Sequence, residues 1–536
     1  PAGINVDGAG FINASRATLT TGTPQLNALG GLDSFLVRGG TVTINGAGLD
    51  ASKTDYAAIL ARAVEANAGI WASELKVVTG ANQVSADHTQ ITPTQGTGTA
   101  PTFALDVAAL GGMYANKIVF VGSEAGLGVR NAGSIGASAG NLVVTASGQL
   151  INTGTFEGQS VQLASTGSDI VNHGTIRQTS IASLSLATPM VSNANGGWIG
   201  AEPAPAPAGS GSTGTTNPGT SSTGSTGTTP STGSTTTAGT PAPAPAVAPA
   251  PIEPGNITAA GAIRNDGGKI YAGGPINLQT ANLVNTGGTL SVASLALHQP
   301  GFSNERGTLN VSGAFTGNLG TFSNAGGVLR VGSLNITTAG DFDNQDGVLT
   351  SDTDAKLTVG GNAHNARGAI SAAGALTANV AGATTNAAGT LASNQALTLH
   401  TSSLDNSKGS IQSAQAGVQL AVTNALINGD GGSINTATDL GIQAGSLSNG
   451  GTLRGANDVN VTVSGTLANG GSITAGRSTT LAAKNVQSSA AGVIGAGIQS
   501  DGQLATGQSA QGTLRVTATG ALVANGKNLA AGDAAF

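Results

Sequence analysis

Residues 304–330 read NERGTLNVSGAFTGNLGTFSNAGGVLR, a phrase that opens and closes on Asn-x-x-Gly followed by an aliphatic residue. The step recurs eleven times, at Asn265, Asn285, Asn304, Asn324, Asn344, Asn365, Asn386, Asn406, Asn428, Asn449 and Asn469, with intervals of 19 to 22 residues. Its words run from NDGGKI and NTGGTL through NQDGVL and NARGAI to the shortened NGGTL and NGGSI. A period near 20 residues marks a solenoid, whose units bury their apolar faces only by stacking on one another. Such a chain is a poor frame for a pocket enzyme.

Within a repeat the alternation is strand-like. Leu290 and Val292 share one face and Leu295 and Leu297 the next; Leu329, Val331, Leu334 and Ile336 repeat the scheme, as do Val459, Val461 and Val463. Period-two runs separated by one-residue slips mean short strands and corners, hence coils of a parallel β-helix about 4.8 Å apart. Asn tolerates a left-handed corner conformation, Gly adopts positive φ without steric cost, and stacked Asn side chains can form a hydrogen-bonded ladder. The eleven asparagines are therefore expected to be structural.

The beat extends backwards through Asn131, Asn152, Asn172 and Asn193. Residues 201–254, a Pro-Ala and Gly-Ser-Thr tract with two acidic residues and no basic or aromatic ones, then interrupt it. Such a composition favours polyproline and coil and cannot bury a core. Asn193 and Asn265 lie 72 residues apart, of which the tract accounts for 54, and the remaining 18 is close to one repeat. The spacing predicts a tract that loops out of a solenoid continuing on both sides; the rival arrangement is a hinge between two separately capped solenoids.

Residues 1–130 are less regular. Ile59, Leu60, Ala63 and Val64, with Ser52 and Asp55 as a capping pair, predict a short helix over 53–66, packed on the solenoid's side or end. The expected fold is all-β, a parallel β-helix of about 20-residue coils with a few extra-helical strands and that one helix in the N-terminal part. Trp71 and Trp198 are read as local core or cap residues.

Composition agrees with this picture: 85 glycines, 9% charged and 3% aromatic residues describe short strands and tight turns. A net charge of −6 and the lack of a basic stripe argue against nucleic-acid binding. Cysteine is absent, which suits a solenoid that needs no staples; it fits equally a chain that crosses an oxidising compartment unfolded and the plain scarcity of cysteine in low-complexity β proteins. Within residues 1–536 neither a signal peptide nor an apolar run of membrane-spanning length is read. The chain opens at Pro1 in mid-phrase and is expected to be a piece of something longer.

No catalytic, cofactor or metal site is expected. The histidines His88, His173, His298, His364 and His400 are scattered, and Asp87-His88 reads as an exposed loop pair. The Gly-rich stretch 122–133 lacks the Lys-Ser/Thr of a phosphate loop. Asp343, Asp346, Asp352 and Asp354 match neither calcium-loop pattern and read as a solvated turn, with calcium left open.

Three phrases carry a resemblance: FINASRATLTTGTP (11–24), YAAILARAVEANAGIWASELKVVTGANQV (56–84) and LDVAALGGMYANKIVFVGSEAGLGVRNAG (105–133). They resemble the secretion domain of two-partner secretion exoproteins, the family of filamentous haemagglutinins and contact-dependent growth inhibition effectors. Residues 255–536 are similar to its haemagglutinin repeats. The resemblance implies a secretion domain at 1–200, the tract at 201–254 and repeats at 255–536. It also implies export through the periplasm of a Gram-negative bacterium, an outer-membrane transporter as partner, and folding at the cell surface as a right-handed parallel β-helix. The family's Asn-Pro-Asn-Gly-type signature maps to Pro1, Ala2, Gly3 and Ile4, with Ala2 departing from it, as the candidate transporter-recognition residues. The implied function is a monomeric adhesin rod that attaches to a receptor on host or neighbouring cells. The alternative is the stalk of a growth-inhibition effector whose toxin domain lies outside these residues.

Overall fold

A computed structural model describes residues 3–179, 184–201, 255–271, 276–506 and 512–536. All 52 regular elements of these residues are strands. Apart from one four-stranded antiparallel sheet, they pair in parallel, each with its counterpart one coil on, to form a parallel β-solenoid.

A shaft coil has three short strands, as in Val348–Ser351, Ala355–Val359 and Ala363–His364. Alternate side chains point inward, and equivalent residues stack in register. Leu290 lies against Leu309, Leu309 against Leu329, Leu329 against Leu349, and Leu349 against Ile370. Each is buried, and removing one such side chain from water contributes about 1.5–3 kcal/mol. Phe302, Phe315, Phe322 and Phe342 fill the interior of the early shaft, with ring centroids 5.2–6.1 Å apart.

The solenoid runs across the tract. Strand Leu184–Asn193 pairs in parallel with Gly255–Arg264, and Trp198–Gly200 with Lys269–Tyr271. Apart from Ala201, the tract itself lies outside the described residues. It departs from the corner between a coil's first and second strands. The long connection between Val493–Ala496 and Leu514–Ala518 leaves at the same corner. Three residues suffice there in ordinary coils, as between Ser351 and Ala355. Insertions thus accumulate along one edge and leave the stacked strands undisturbed.

The N-terminal coils carry an extra layer. Strands Thr23–Leu26, Leu32–Val37, Asn82–Ser85 and Ile91–Pro93 form the antiparallel sheet. Its second core consists of Val37, Val84, Ala58, Leu60 and Val78, flanked by Phe35, Tyr56 and Ile91.

This layer overturns the expected helix at 53–66. The segment forms strands Tyr56–Ala61 and Ala63–Ala66, and Ser52 caps nothing: it bonds to Asp50 in a turn. Ala57, Ile59 and Ala61 face the solenoid core while Ala58 and Leu60 face the antiparallel sheet. Burial on both faces replaces the alternation of a one-sided strand with an unbroken apolar run, which by spacing alone is indistinguishable from a helix.

Candidate functional site

The corner asparagines point inward and join hand to hand. Asn265 Nδ2 donates to Asn285 Oδ1, Asn285 to Asn304, Asn304 to Asn324 and Asn324 to Asn344, each at 2.7 Å. The series continues through Asn365, Asn386, Asn406, Asn428 and Asn449 to Asn469, at 2.7–2.8 Å. It begins at Asn131, runs through Asn152 and Asn172, and crosses the tract from Asn193 to Asn265 at 2.7 Å. Each amide also donates to a backbone carbonyl of the next coil, as Asn344 Nδ2 does to Ala369 O at 3.1 Å. All these residues are buried. Every donor points towards the C-terminal end, so Asn131 Oδ1 at the head has no partner, and Asn469 at the foot donates to Ser488 Oγ.

The backbone reading of the motif needs correcting. None of the ladder asparagines is at positive φ; in the Asn-x-x-Gly words from Asn265 to Asn406 that role falls two residues on, and in NGDGGSI on Gly431, three residues on. Gly267, Gly287 and Gly326 supply it, but so do Arg306, Asp346, Arg367, Ala388 and Lys408, at φ of 53–58°. The glycine at the fourth position serves close approach instead. A Cβ on Gly347 would stand 2.2 Å from Asn324 O and 2.8 Å from Asn344 Oδ1, and Gly327, Gly368 and Gly389 are placed alike. Asn faces the ladder, and Gly makes room for the coil before.

At the N-terminal edge, Pro1 and Ala2 lie outside the described residues. Gly3 has φ of 135°, and a Cβ there would come 2.8 Å from Thr41 O. Ile4 opens a strand paired with Thr41–Ala51 and packs, half-buried, on the core. A short ladder that sequence reasoning missed fixes this strand from outside. Asn67 Nδ2 donates to Asn45 Oδ1 at 3.0 Å, and Asn45 Nδ2 to Asn5 Oδ1 at 2.8 Å. Irregular spacing across the intervening hairpins hid it.

Arg62 anchors the second layer. Its guanidinium, almost wholly buried, meets Glu124 at 2.7 and 3.0 Å and Thr97 O at 2.9 Å, while Glu124 also accepts from Ala81 N. The Arg62 hydrogen bonds hold the Glu124 carboxyl below its ordinary value. Asp87 is exposed, and its bonds from Ser85 and Thr89 depress it to about 2. His88, expected to be exposed beside it, is buried between Tyr56 and Phe35, with Nδ1 3.2 Å from the Tyr56 hydroxyl. Burial lowers its pKa first of all, with Arg16 and Lys76 adding repulsion. The antiparallel sheet creates a lid over His88 that one-dimensional reasoning could not foresee.

Trp71 is no core residue either: 40% exposed, it lies over Gly69 and stacks on Tyr114. Trp198 is half-buried against Tyr271. The acidic run is dispersed in local bonds: Asp343 to Gln345 N, Asp346 to Arg367, Asp354 to Ala375 N. Among the described residues no group of three or more His, Asp or Glu could hold a metal, and no helix is long and apolar enough to cross a membrane.

Two family models match this chain. The TPS secretion domain covers residues 1–152; the haemagglutinin repeat covers 254–298, 292–377, 347–454 and 439–526, together more than half of the sequence. The chain is 50% identical over 177 residues to "Toxin CdiA" of Yersinia pestis, 33% of this chain and 5% of that protein. It is 50% identical over 153 residues to "tRNA nuclease CdiA-2" of Burkholderia pseudomallei (strain 1026b), 28% and 5% of the respective lengths. To "tRNA nuclease CdiA" of Escherichia coli (strain STEC_O31) it is 45% identical over 170 residues, 32% and 5%. The match thus spans about 5% of the length of these curated relatives. No solved structure matches.

Fold and matches together define an exported β-solenoid shaft with a secretion domain at its head. The chain belongs to the haemagglutinin-repeat exoproteins of two-partner secretion. It is a secreted, cell-surface protein of a Gram-negative bacterium.

Proposed function

We propose that this chain is the shaft of a filamentous surface adhesin, exported by an outer-membrane two-partner transporter and holding its binding surfaces away from the cell. The observation that carries this reading is that the stretches matching a secretion domain and a repeat family stack in one continuous solenoid. Residues 1–200 act as the secretion domain, Pro1 to Ile4 belong to the transporter signal, 201–254 form a looped-out insertion, and 255–536 are the repeats. The Asn ladder is structural: it holds successive coils in register. The winding is right-handed, as parallel crossovers are in nearly all sheets. The rod is monomeric and has no catalytic or cofactor role of its own.

The names of the relatives favour a second reading, the stalk of a growth-inhibition effector whose toxin domain lies outside these residues. One experiment addresses export in both cases: removing residues 1–130 should abolish surface display, and undiminished display would refute the secretion role. Killing of neighbours by the whole secreted protein of which these residues are part favours the stalk, and attachment without killing favours the adhesin.

A further inference from the structure

One lateral face of the shaft differs from the rest of the molecule. The outward residues of its middle strands stack in a row, Thr337 on Thr358, Thr358 on Asn379, Asn379 on His400, His400 on Ala421, Ala421 on Gln443 and Gln443 on Thr462. The row lines a groove of about 900 Å³ parallel to the rod axis, flanked by Gly360, Ala381, Ser402, Thr423 and Gly445. Six coil steps of about 4.8 Å give it a length of ~29 Å.

Its chemistry is narrow. No Asp, Glu, Lys or Arg lines the groove. Thr337, Thr358, Asn379, His400, Gln443 and Thr462 use no side-chain hydrogen bond within the chain, so six hydrogen-bonding groups are left for solvent or a ligand. Its exposed apolar surface is limited to small residues such as Gly360, Ala381 and Ala421, with no Phe, Tyr or Trp, while Val359, Val380 and Val422 beside them turn into the core.

These properties eliminate partners in turn. Nucleic acid needs cations for its phosphates. An amphipathic helix needs large apolar holes. A β-strand needs free backbone groups, and here the backbone is committed to the coil-to-coil ladder. What remains is an elongated, uncharged molecule dense in hydroxyl groups, since Thr, Asn and Gln side chains offer both donors and acceptors. We propose that this groove binds an extended neutral polysaccharide, lying along the rod across several coils. The proposal rests on the attachment reading above and names the class of receptor.

The test is binding of the purified full chain to immobilised β-1,3-glucan and galactomannan, with heparin and a sialylated glycan as charged comparisons. The neutral polymers should be retained and the charged ones not. Combining Asn379→Ala, His400→Ala and Gln443→Ala should weaken retention at least tenfold, while Gln412→Ala on another face should leave it unchanged. Thr358→Arg, which fills the groove from its lining row near one end, provides a second variant should the triple one fold poorly. No retention of neutral polymers, or retention indifferent to the triple variant and to Thr358→Arg, overturns the proposal. So does side-by-side association of rods that those variants abolish, for then the occupant is a second copy. If polysaccharide binding fails while the chain still attaches to cells, the proposal falls and the attachment reading stands; if attachment fails as well, both fall.

Discussion

The first 130 residues and the shaft beyond Asn265 share one solenoid but are stabilised differently. The shaft repeats one solution: a strand exposed on one side, a corner Asn and a Gly that lets the preceding coil approach. The N-terminal coils cover one face with an antiparallel sheet and secure it with unrepeated contacts, Arg62 with Glu124 and His88 beneath Tyr56. Repetition provides reach, whereas unrepeated contacts single out one region for recognition. The shaft should therefore respond to damage coil by coil and the N-terminal region as a unit.

The largest expected effect is at the ladder. Asn344→Ala removes the bond accepted from Asn324 and those given to Asn365 and Ala369. At roughly 1 kcal/mol each, the loss is about 3 kcal/mol, read by urea unfolding and by amide exchange concentrated in the adjoining coils. Uniform loss of protection along the whole rod would break the contrast. Gly347→Ala, whose Cβ would meet Asn324 O, should cost about 2 kcal/mol, again locally.

In the N-terminal region, Glu124→Gln leaves the Arg62 charge largely unpaired and should cost about 2 kcal/mol, less than a fully buried pair because Glu124 is partly solvated. Limited proteolysis should then cut the antiparallel sheet while sparing the shaft. Acid provides a milder version. His88 has its folded pKa depressed by burial, so the unfolded state binds more protons below about 6.5. Its contribution is complete above that value and declines as pH falls towards the lowered folded value. Glu124, also depressed, holds its contribution above about 4.3 and loses it only as pH falls through its folded value. Proteolysis across pH 7 to 4 should thus open the second layer first, and His88→Gln should flatten the upper part of that profile. The smallest effect is a gain: Ala388→Gly, at φ of 54°, should stabilise its coil by about 1 kcal/mol in the same urea assay.

The same contrast explains what was legible in the sequence. The beat at Asn265–Asn469 and the alternation of Leu329, Val331, Leu334 and Ile336 mark coils, strands and corners, because each strand has one wet face. Tyr56–Ala61 conceals its nature because both faces are dry. His88 was misplaced for a related reason: its burial depends on what the antiparallel sheet and Tyr56 do, not on neighbouring residues. Even in the shaft, position and conformation were confounded. Asn and Gly were recognised as corner residues, but the left-handed position is held by Gly267, Gly287 and Gly326 and equally by Arg306, Asp346 or Lys408, so no single residue type signals it. The groove went unnoticed because Thr358, Asn379 and His400 are ordinary surface residues until stacking aligns them.

The central claim is that the secretion-domain coils and the shaft are one body, joined across the tract by Asn193 and Asn265. Small-angle scattering of the full chain and of a variant lacking residues 202–254 tests it directly. Both should show the cross-section of one rod whose length matches an unbroken stack of about 20 coils, ~95 Å. A flexible two-body profile in the full chain would contradict it.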